Sequence, residues 1–224
     1  MSTTKNLQKL ATELYSAVIG DVMDKMGLRH QFLPPEIQPL DAGMVVAGYA
    51  MPVLEADCTG TRIHSQQIDE PFGKMFDALD DLKPGEVYIC TGSSGAYALW
   101  GELMSTRARQ LGAAGAVVNG YSRDTPGILK MGFPTFSRGR YAQDQGVRGR
   151  VIDWRCPIEF AHGVAVSPGD LVFGDMDGVV IVPRDRQDEV LEAALEKVHG
   201  ENKVRLAIEQ GMGAAEAFRT FGIM

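Results

Sequence analysis

The spacing of apolar residues predicts helices at the start of the chain and a strand after them. Apolar side chains recur at helical intervals over residues 7–14 and again over about residues 16–26. The Pro-rich stretch 28–42 ends this pattern, because a Pro-Pro pair forbids a continuous helix. The apolar run at residues 44–56 then predicts a long strand. Residues 1–42 are therefore expected to form a helical arm.

From residue 84 onward, short buried runs alternate with helical patterns. Tight turns separate them, such as Pro84-Gly85-Glu86 before an apolar run. The order strand, helix, strand, helix, strand favours a parallel sheet with helical crossovers. The predicted elements are strands at 87–90, 115–119 and 133–136 and helices at 98–111 and 125–131.

Residues 147–183 have a different character, with short β runs separated by turns. One long charged helix follows, from residue 184 to about residue 210, and leads into a short tail. No linker-like stretch divides the chain. We therefore expect one domain over residues 1–224, with a second helical arm at residues 184–224.

Composition and charge narrow the classes of function. Of the 224 residues, 45% are hydrophobic and 23% are charged, the balance of a globular protein with a sizeable core. The net charge of −7 disfavours binding to a phosphate backbone, and no apolar run is long enough to cross a bilayer. We therefore expect neither a nucleic-acid nor a membrane partner. Cys58, Cys90 and Cys156 form no CxxC motif, so reduced thiols in a cytoplasmic protein are the simplest interpretation.

A loop rich in glycine and serine, TGSSG at residues 91–95, follows the strand predicted at 87–90 and is expected to open a helix. Backbone N–H groups in such a loop, together with a helix N-terminus, favour an anion. The spacing of Gly92, Gly95 and Gly101 fits neither a P-loop nor a dinucleotide fingerprint. A small carboxylate fits better than a nucleotide. A flexible turn between strand and helix is the alternative, and the loop alone favours it.

Arg123 and Asp124 come just after a predicted strand. In open α/β sheets ligands bind beyond the carboxyl ends of the strands, so we expect this pair at the same edge as the Gly/Ser loop. Arg123 offers a planar fork that matches a carboxylate or an α-keto acid, and Asp124 offers an oxygen ligand for Mg²⁺ or Mn²⁺. Glu102, in the first turns of the predicted helix, is expected to face the same pocket. The alternative is that the pair forms a surface turn and that Glu102 is a solvated charge.

Together these residues resemble the family of class II pyruvate aldolases for 4-hydroxy-4-methyl-2-oxoglutarate and 4-carboxy-4-hydroxy-2-oxoadipate, which also includes the RraA-type ribonuclease regulators. The aldolase pattern is an acid, twenty residues, Arg-Asp, two residues and a second acid. Here Glu102 is followed by twenty residues and Arg123-Asp124, and the resemblance covers roughly residues 12–205. Further matching segments stand in order: Gly101-Glu102-Leu103, Gly115-Ala116-Val117-Val118, Gly132-Phe133-Pro134, Pro168-Gly169-Asp170 and Asp175-Met176-Asp177-Gly178-Val179-Val180.

Two positions depart from that pattern. The first acid is usually Asp, and Glu102 is one methylene longer. The second acid is replaced by Gly127, so a carboxylate that the pattern places there is missing. Retention of Asp124 and of an acid at position 102 favours the aldolases over the regulators. Gly127 leaves the acceptor half of the substrate open.

The resemblance implies a metal-dependent lyase that cleaves a 4-hydroxy-2-oxo acid to pyruvate and a second carbonyl compound, with oxaloacetate decarboxylation as a side activity. It implies that Asp124 binds Mg²⁺ or Mn²⁺ and that Arg123 holds the keto oxygen as it becomes an enolate. It also implies that Glu102 holds a water that relays a proton. The substrate-binding residues expected on this basis, the last of them from a neighbouring subunit, are Gly95, Ala98, Leu99, Trp100, Gly101, Arg123 and Glu201.

The expected fold is a three-layer β/β/α domain of the swivelling type, in which residues 147–183 supply a second β layer beside a parallel-rich sheet. The resemblance implies homotrimers, or trimers paired into homohexamers, with sites at subunit boundaries. The alternative function is that of a non-enzymatic RraA-type regulator that binds ribonuclease E. Metal-dependent release of pyruvate from oxaloacetate would distinguish the two.

Overall fold

The long strand predicted over residues 44–56 lies inside the main sheet and pairs with three other strands of the described chain. In the computed structural model, which describes residue 7, residues 10–58 and residues 71–223, this strand spans Val46–Asp57. Of the N-terminal arm predicted over residues 1–42, residues 1–6, 8 and 9 lie outside the described part of the chain. Besides two short 3₁₀ turns, the elements are α1 (Ser16–Lys25), β1 (Gln38–Pro39), β2 (Val46–Asp57), α2 (Met75–Asp80), β3 (Glu86–Thr91), β4 (Ala98–Trp100), α3 (Glu102–Gln110), β5 (Gly115–Val118), β6 (Tyr121–Ser122), α4 (Thr125–Met131), β7 (Thr135–Ser137), β8 (Gly149–Trp154), β9 (Ile158–Phe160), β10 (Val164–Val166), β11 (Leu171–Asp175), β12 (Gly178–Val182), α5 (Gln187–Glu209) and α6 (Ala214–Phe221).

The main sheet has eight strands in the order β1, β7, β5, β3, β2, β11, β12, with β8 paired to the second half of β2. Its centre is parallel, since β2, β3, β5 and β7 run in the same direction. The outer strands β1, β8, β11 and β12 are antiparallel to their neighbours. A bridge between Phe32 and Val180 links the Pro-rich connector to β12, so the sheet is nearly closed. The predicted mixed α/β class with a parallel-rich sheet is confirmed.

Successive side chains of the central strands point to opposite faces of the sheet and pack in different layers, because a strand has a period of two residues. On one face Tyr88 and Cys90 pack with Ala108 of α3 and Ile128 of α4. On the other face the intervening residues pack against the hairpin formed by β9 and β10, with Ile158 among its buried side chains. The helices, the sheet and this hairpin are the three layers.

Residues 147–183 contribute less to the separate β layer than we predicted. Only the β9–β10 hairpin stands apart, while β8, β11 and β12 join the main sheet. The reason is the length of β2, which pairs with β11 along Val46–Tyr49 and with β8 along Val53–Asp57.

The two helical arms pack on each other and on the outer strands. Ile19 and Met23 of α1 share a buried cluster with Val190 and Ala194 of α5 and with Phe173 of β11. The predicted helices at 16–26 and 184–210 are therefore confirmed, the second beginning as a 3₁₀ turn. None of the described helices is long and apolar enough to cross a membrane.

Candidate active site

A small parallel sheet of two strands, β4 and β6, brings several of the predicted site residues together. The helix predicted at 98–111 begins only at Glu102, because residues Ala98–Trp100 form β4 and pair in parallel with β6 (Tyr121–Ser122). The backbone N–H of Arg123 donates to the carbonyl of Trp100 at 2.9 Å. This pairing places the start of α3 beside the Arg123-Asp124 segment. The prediction that the Gly/Ser loop itself opens a helix is wrong.

Asp124 occupies a conformation that suits its residue type. It lies at the start of α4 with φ 54° and ψ 32°, in the left-handed region that Asp and Asn tolerate better than most residues. Its Oδ2 lies 3.5 Å from Nε of Arg123. A Cβ at Gly101 would lie 2.9 Å from the same oxygen, so the absence of a side chain there leaves room for the carboxylate.

Asp144 is a cavity residue that the sequence analysis missed. Its Oδ1 accepts a hydrogen bond from Nη1 of Arg123 at 2.6 Å, so the guanidinium lies between Asp124 and Asp144. Such a charge-assisted contact fixes the plane of the guanidinium. Asp144 belongs to the irregular segment between β7 and β8, where no periodic pattern marks it, and only the folded chain places it near Arg123.

The carboxylate of Glu102 explains the glycine at position 127. A Cβ at Gly127 would lie 2.2 Å from Cδ and 2.5 Å from Oε2 of Glu102. The longer acid at 102 therefore delivers its carboxylate to the space beside α4 that a side chain at 127 would need. The two positions that depart from the aldolase pattern therefore lie against each other in the fold.

A cavity of about 410 Å³ contains most of the predicted site residues. Arg123, Asp124 and Gly101 line one part of it. Glu102 does not line it, although its neighbours do. The full lining is Phe72, Met75, Phe76, Leu79, Asp80, Ala98, Leu99, Trp100, Gly101, Leu103, Met104, Arg107, Arg123, Asp124, Asp144 and Gln145.

The Gly/Ser loop does not provide the predicted set of free amides. The N–H of Ser94 donates to Asp57, the N–H of Gly95 donates to Ser93 Oγ, and the N–H of Ala98 donates to the carbonyl of Gln143. Gly95 is also absent from the cavity lining, so the structure does not bring it to the site. The first-turn amides of α3 are better placed, because first-turn N–H groups lack partners within the helix and this turn lines the cavity.

Trp100 contributes to the cavity mainly as a wall. Its side chain is buried, donates from Nε1 to Ser105 Oγ at 2.7 Å, and packs against Tyr88 with ring centroids 4.9 Å apart. The indole therefore packs with the core. Its place among substrate-binding residues stays a prediction.

Glu201 lies away from this cavity within its own chain. Its carboxylate accepts a hydrogen bond from the Tyr15 hydroxyl and lies 3.4 Å from Nζ of Lys197, where α1 packs on α5. Burial and the bond to Glu201 raise the pKa of Tyr15 to about 12. The role of Glu201 in a neighbouring subunit's site stays a prediction.

A second acid, Glu55, lies behind the cavity wall. It is 2% exposed, and its Oε2 accepts a hydrogen bond from Nε2 of Gln145 at 2.7 Å. Its Oε1 is buried and has no hydrogen-bond partner among the described residues. Burial raises the pKa of Glu55 to about 8, although the bond from Gln145 lowers it. The carboxyl group therefore favours its protonated form inside the fold.

The donor set at the cavity suits a hard, hydrated cation. Among the described residues no three His, Cys, Asp or Glu side chains cluster into a closed metal site. Asp124 presents a carboxylate that is 44% exposed, and Asp144 shares the positive charge of the intervening Arg123. The exposed carboxylate of Asp124, with no third acid, His or Cys clustered beside it among the described residues, fits Mg²⁺ or Mn²⁺, which keep several waters, and does not fit zinc with its three or four protein ligands.

Comparisons with known proteins agree with these features. The profile of the RraA-like family, described as Aldolase/RraA, matches residues 16–181. Protein DlpA of Legionella pneumophila is 29% identical over 219 residues, which are 96% of this chain, and the match covers 34% of DlpA. The chain thus spans about a third of that relative's length. A Halalkalibacterium halodurans protein named "putative 4-hydroxy-4-methyl-2-oxoglutarate aldolase" is 31% identical over 145 residues, 64% of this chain and 68% of that protein.

A solved structure supports the fold. RraAS2 of Streptomyces coelicolor, described as an unusual member of the RNase ES inhibitor RraA protein family, superimposes with a TM-score of 0.74. The two are 24% identical, and the match covers 90% of this chain and 96% of the other. At that identity the likeness concerns the architecture alone.

Proposed function

The chain belongs to the RraA-like family of aldolases and RraA proteins, and from this premise we propose that it is a divalent-metal-dependent pyruvate aldolase. The reaction would cleave a 4-hydroxy-2-oxo acid to pyruvate and a second carbonyl compound. The observation that carries the proposal is the row Asp124, Arg123, Asp144 along one cavity, with the guanidinium held at 2.6 Å by Asp144. This row joins an exposed carboxylate to an oriented fork of hydrogen-bond donors.

The residues present fit a divalent cation at Asp124. Its carboxylate would be the direct protein ligand, and solvent would complete the coordination shell. When bound, the cation supplies Lewis-acid polarisation of the substrate's keto oxygen. Asp144 serves the same end indirectly, because it offsets the positive charge of Arg123 next to the proposed metal ligand.

Arg123 acts on the oxygen where charge develops. When the C3–C4 bond breaks, the electron pair moves toward C3 and the C2 keto oxygen takes on enolate character. The C4 hydroxyl passes its proton to a water in the cavity as C4 becomes a carbonyl. Arg123 donates to the C2 oxygen, and donors fixed in this way typically contribute several kcal/mol to the transition state.

Glu102 completes the chemistry with a proton. Its carboxylate lies over Gly127 at the start of α4, and from there it would hold a water that delivers the proton to C3 of the enolate. Pyruvate is then released. The amides of the first turn of α3 are proposed to hold the pyruvyl carboxylate, since that turn lines the cavity.

Pyruvate release from oxaloacetate tests this function most directly. The purified protein, freed of metal with a chelator, should be inactive and should regain turnover with Mg²⁺ or Mn²⁺. Decarboxylation passes through the same pyruvate enolate, so it needs no knowledge of the acceptor half. Absence of turnover with either metal would favour the alternative, a non-enzymatic regulator of ribonuclease E like other RraA proteins. A homotrimer or homohexamer in the cytoplasm, with Glu201 at a subunit boundary, is part of the proposal and is checked by mass photometry.

A further inference from the structure

We propose that the acceptor half of the substrate is apolar. The protein would cleave 4-hydroxy-2-oxo acids whose C4 carries an alkyl or aryl group and would disfavour those with a second carboxylate there. This inference rests on the proposed aldolase function and names the substrate class that this function leaves open. Its basis is the division of one cavity into a charged end and an apolar wall.

The charged end and the apolar wall meet at the start of α3. Gly101 lies next to the carboxylate of Asp124. A Cβ added at position 101 would lie 2.9 Å from Oδ2 of Asp124. Leu103 and Met104 follow directly on the same turn and line the cavity. A substrate with its pyruvyl end at Arg123 and Asp124 and its C4 substituent in this cavity would therefore meet apolar side chains.

The apolar wall consists of large side chains, and some of them are exposed to water in the single chain. Phe72 and Phe76 form an edge-to-face pair with ring centroids 5.6 Å apart. Phe76 is 54% exposed and Leu103 is 83% exposed, while Met75 and Leu79 are buried beneath them. The volume of about 410 Å³ lies within the range of small-molecule pockets, which is roughly 300–1,000 Å³. Covering such side chains with an apolar group removes apolar surface from water and favours binding.

The cations that line the cavity are already paired. Nε of Arg107 lies 2.7 Å from Oδ1 of Asp80, and the guanidinium of Arg123 lies between the carboxylates of Asp124 and Asp144. Three carboxylates and two guanidinium groups thus line the cavity among the described residues. A second substrate carboxylate would find no unpaired guanidinium among those lining residues and would have to displace Asp80 from Arg107 or compete for Arg123. The pairing of the cations therefore disfavours a dicarboxylate at the acceptor end.

The test compares two substrates on the full-length protein with Mg²⁺. 4-Hydroxy-2-oxo-4-phenylbutanoate represents the aryl class, and 4-hydroxy-4-methyl-2-oxoglutarate represents the dicarboxylates. We expect kcat/KM for pyruvate release to favour the aryl substrate by about tenfold or more. Equal values, or a preference for the dicarboxylate, would overturn the inference. Metal-dependent turnover of oxaloacetate in the same preparation would then show that the aldolase function itself still stands.

A charge placed in the wall sharpens the test. Leu103→Arg offers a partner to a second carboxylate and should reduce the aryl-to-dicarboxylate ratio of kcat/KM by about tenfold. Leu103 is on the surface, so the variant should fold. Leu206→Arg on α5 is the matched control, because Leu206 is 56% exposed and lies outside the cavity lining, and the ratio should not change. If Leu103→Arg alters the oligomeric state but not the ratio, the wall is a contact between subunits and the inference is wrong.

Discussion

Two adjacent loop residues, Asp144 and Gln145, belong to opposite environments. Asp144 is an exposed acid at the cavity, and Gln145 holds the buried acid Glu55. Asp144 contacts the Arg123 guanidinium with a carboxylate that is 45% exposed, whereas Gln145 is buried and donates to the buried Glu55. The acids at the cavity face water and a full positive charge. The donor to Glu55 in the described part of the chain is the neutral amide of Gln145, and burial raises the pKa of Glu55 to about 8. From this comparison we expect replacement of the cavity acids to change activity and replacement of the acid behind them to change the stability of the fold.

Replacement of Asp124 should separate activity from stability most strongly. Asn is a better choice than Ala, because Asn tolerates the left-handed backbone at φ 54° and removes only the charge. We expect kcat/KM for pyruvate release to fall about a hundredfold or more, on the scale of losing an electrostatic group in an active site. The melting temperature measured by circular dichroism should change little. Near-normal turnover by folded Asp124→Asn protein would rule out the proposed mechanism.

Replacement of Asp144 tests whether the orientation of Arg123 matters. Asp144→Asn weakens a charge-assisted hydrogen bond of 2.6 Å, and we expect kcat to fall about tenfold with a smaller change in KM. Arg123→Lys should lose more, because a point charge cannot hold two carboxylates and a substrate oxygen at once. Asp188→Asn on α5, outside the cavity lining, is the matched control. Equal kcat in Asp144→Asn and in this control would show that the contact is incidental.

The sequence predicted the sheet and arms well because their signals are local. Apolar runs at β3, β5 and β12 are buried throughout or nearly so, the long run at β2 is buried at its centre, and the helical periods of α1 and α5 are long enough to recognise. The order of elements also placed Arg123 and Asp124 correctly beside the start of α3, whereas Glu102, expected to face the same pocket, does not line the cavity. Each of these inferences needs only residues close in sequence or a regular order of elements.

The misses share a physical cause, which is pairing between distant segments. The three-residue strand β4 is too short to show a period, and its partner β6 comes about twenty residues later. Asp144 and Gln145 acquire their roles only when the irregular segment between β7 and β8 folds over the cavity. The fit of Glu102 over Gly127 depends on two helix starts meeting in space. No single-sequence pattern contains these contacts.

The Glu102–Gly127 contact gives a second test on the cavity side. Gly127→Ala places a methyl group within 2.6 Å of both carboxylate oxygens of Glu102, so that carboxylate must move. We expect pyruvate release to slow by up to about tenfold, the lower part of the range for a proton-transfer group. The helix itself should not suffer, because Ala favours helix over Gly by roughly 1 kcal/mol.

The double variant Glu102→Asp, Gly127→Ala is the control for this contact. The shorter acid withdraws from the added methyl group, so the two substitutions together should cost less activity than the sum of their separate effects. Strict additivity would show that Glu102 and Gly127 are not coupled. Thermal unfolding of all three variants by circular dichroism checks that the helices remain intact.

Replacement of Glu55 should have the opposite effect to replacement of the cavity acids. It should change the stability of the fold and leave pyruvate release nearly unchanged. The unfolded chain has a Glu55 pKa near 4.5, and the folded chain has one of about 8. Between these values the folded state binds more protons, so this group lowers the free energy of unfolding as pH rises, by at most about 1.4 kcal/mol per pH unit. Glu55→Gln keeps a neutral group of the same shape and removes this titration. Relative to the natural protein, the variant should therefore gain stability as pH rises from 5 to 8, measured by urea unfolding at each pH. A parallel pH dependence of the two proteins would show that Glu55 does not titrate in this range, and a large loss of pyruvate release at pH 7 would place it with the cavity acids instead.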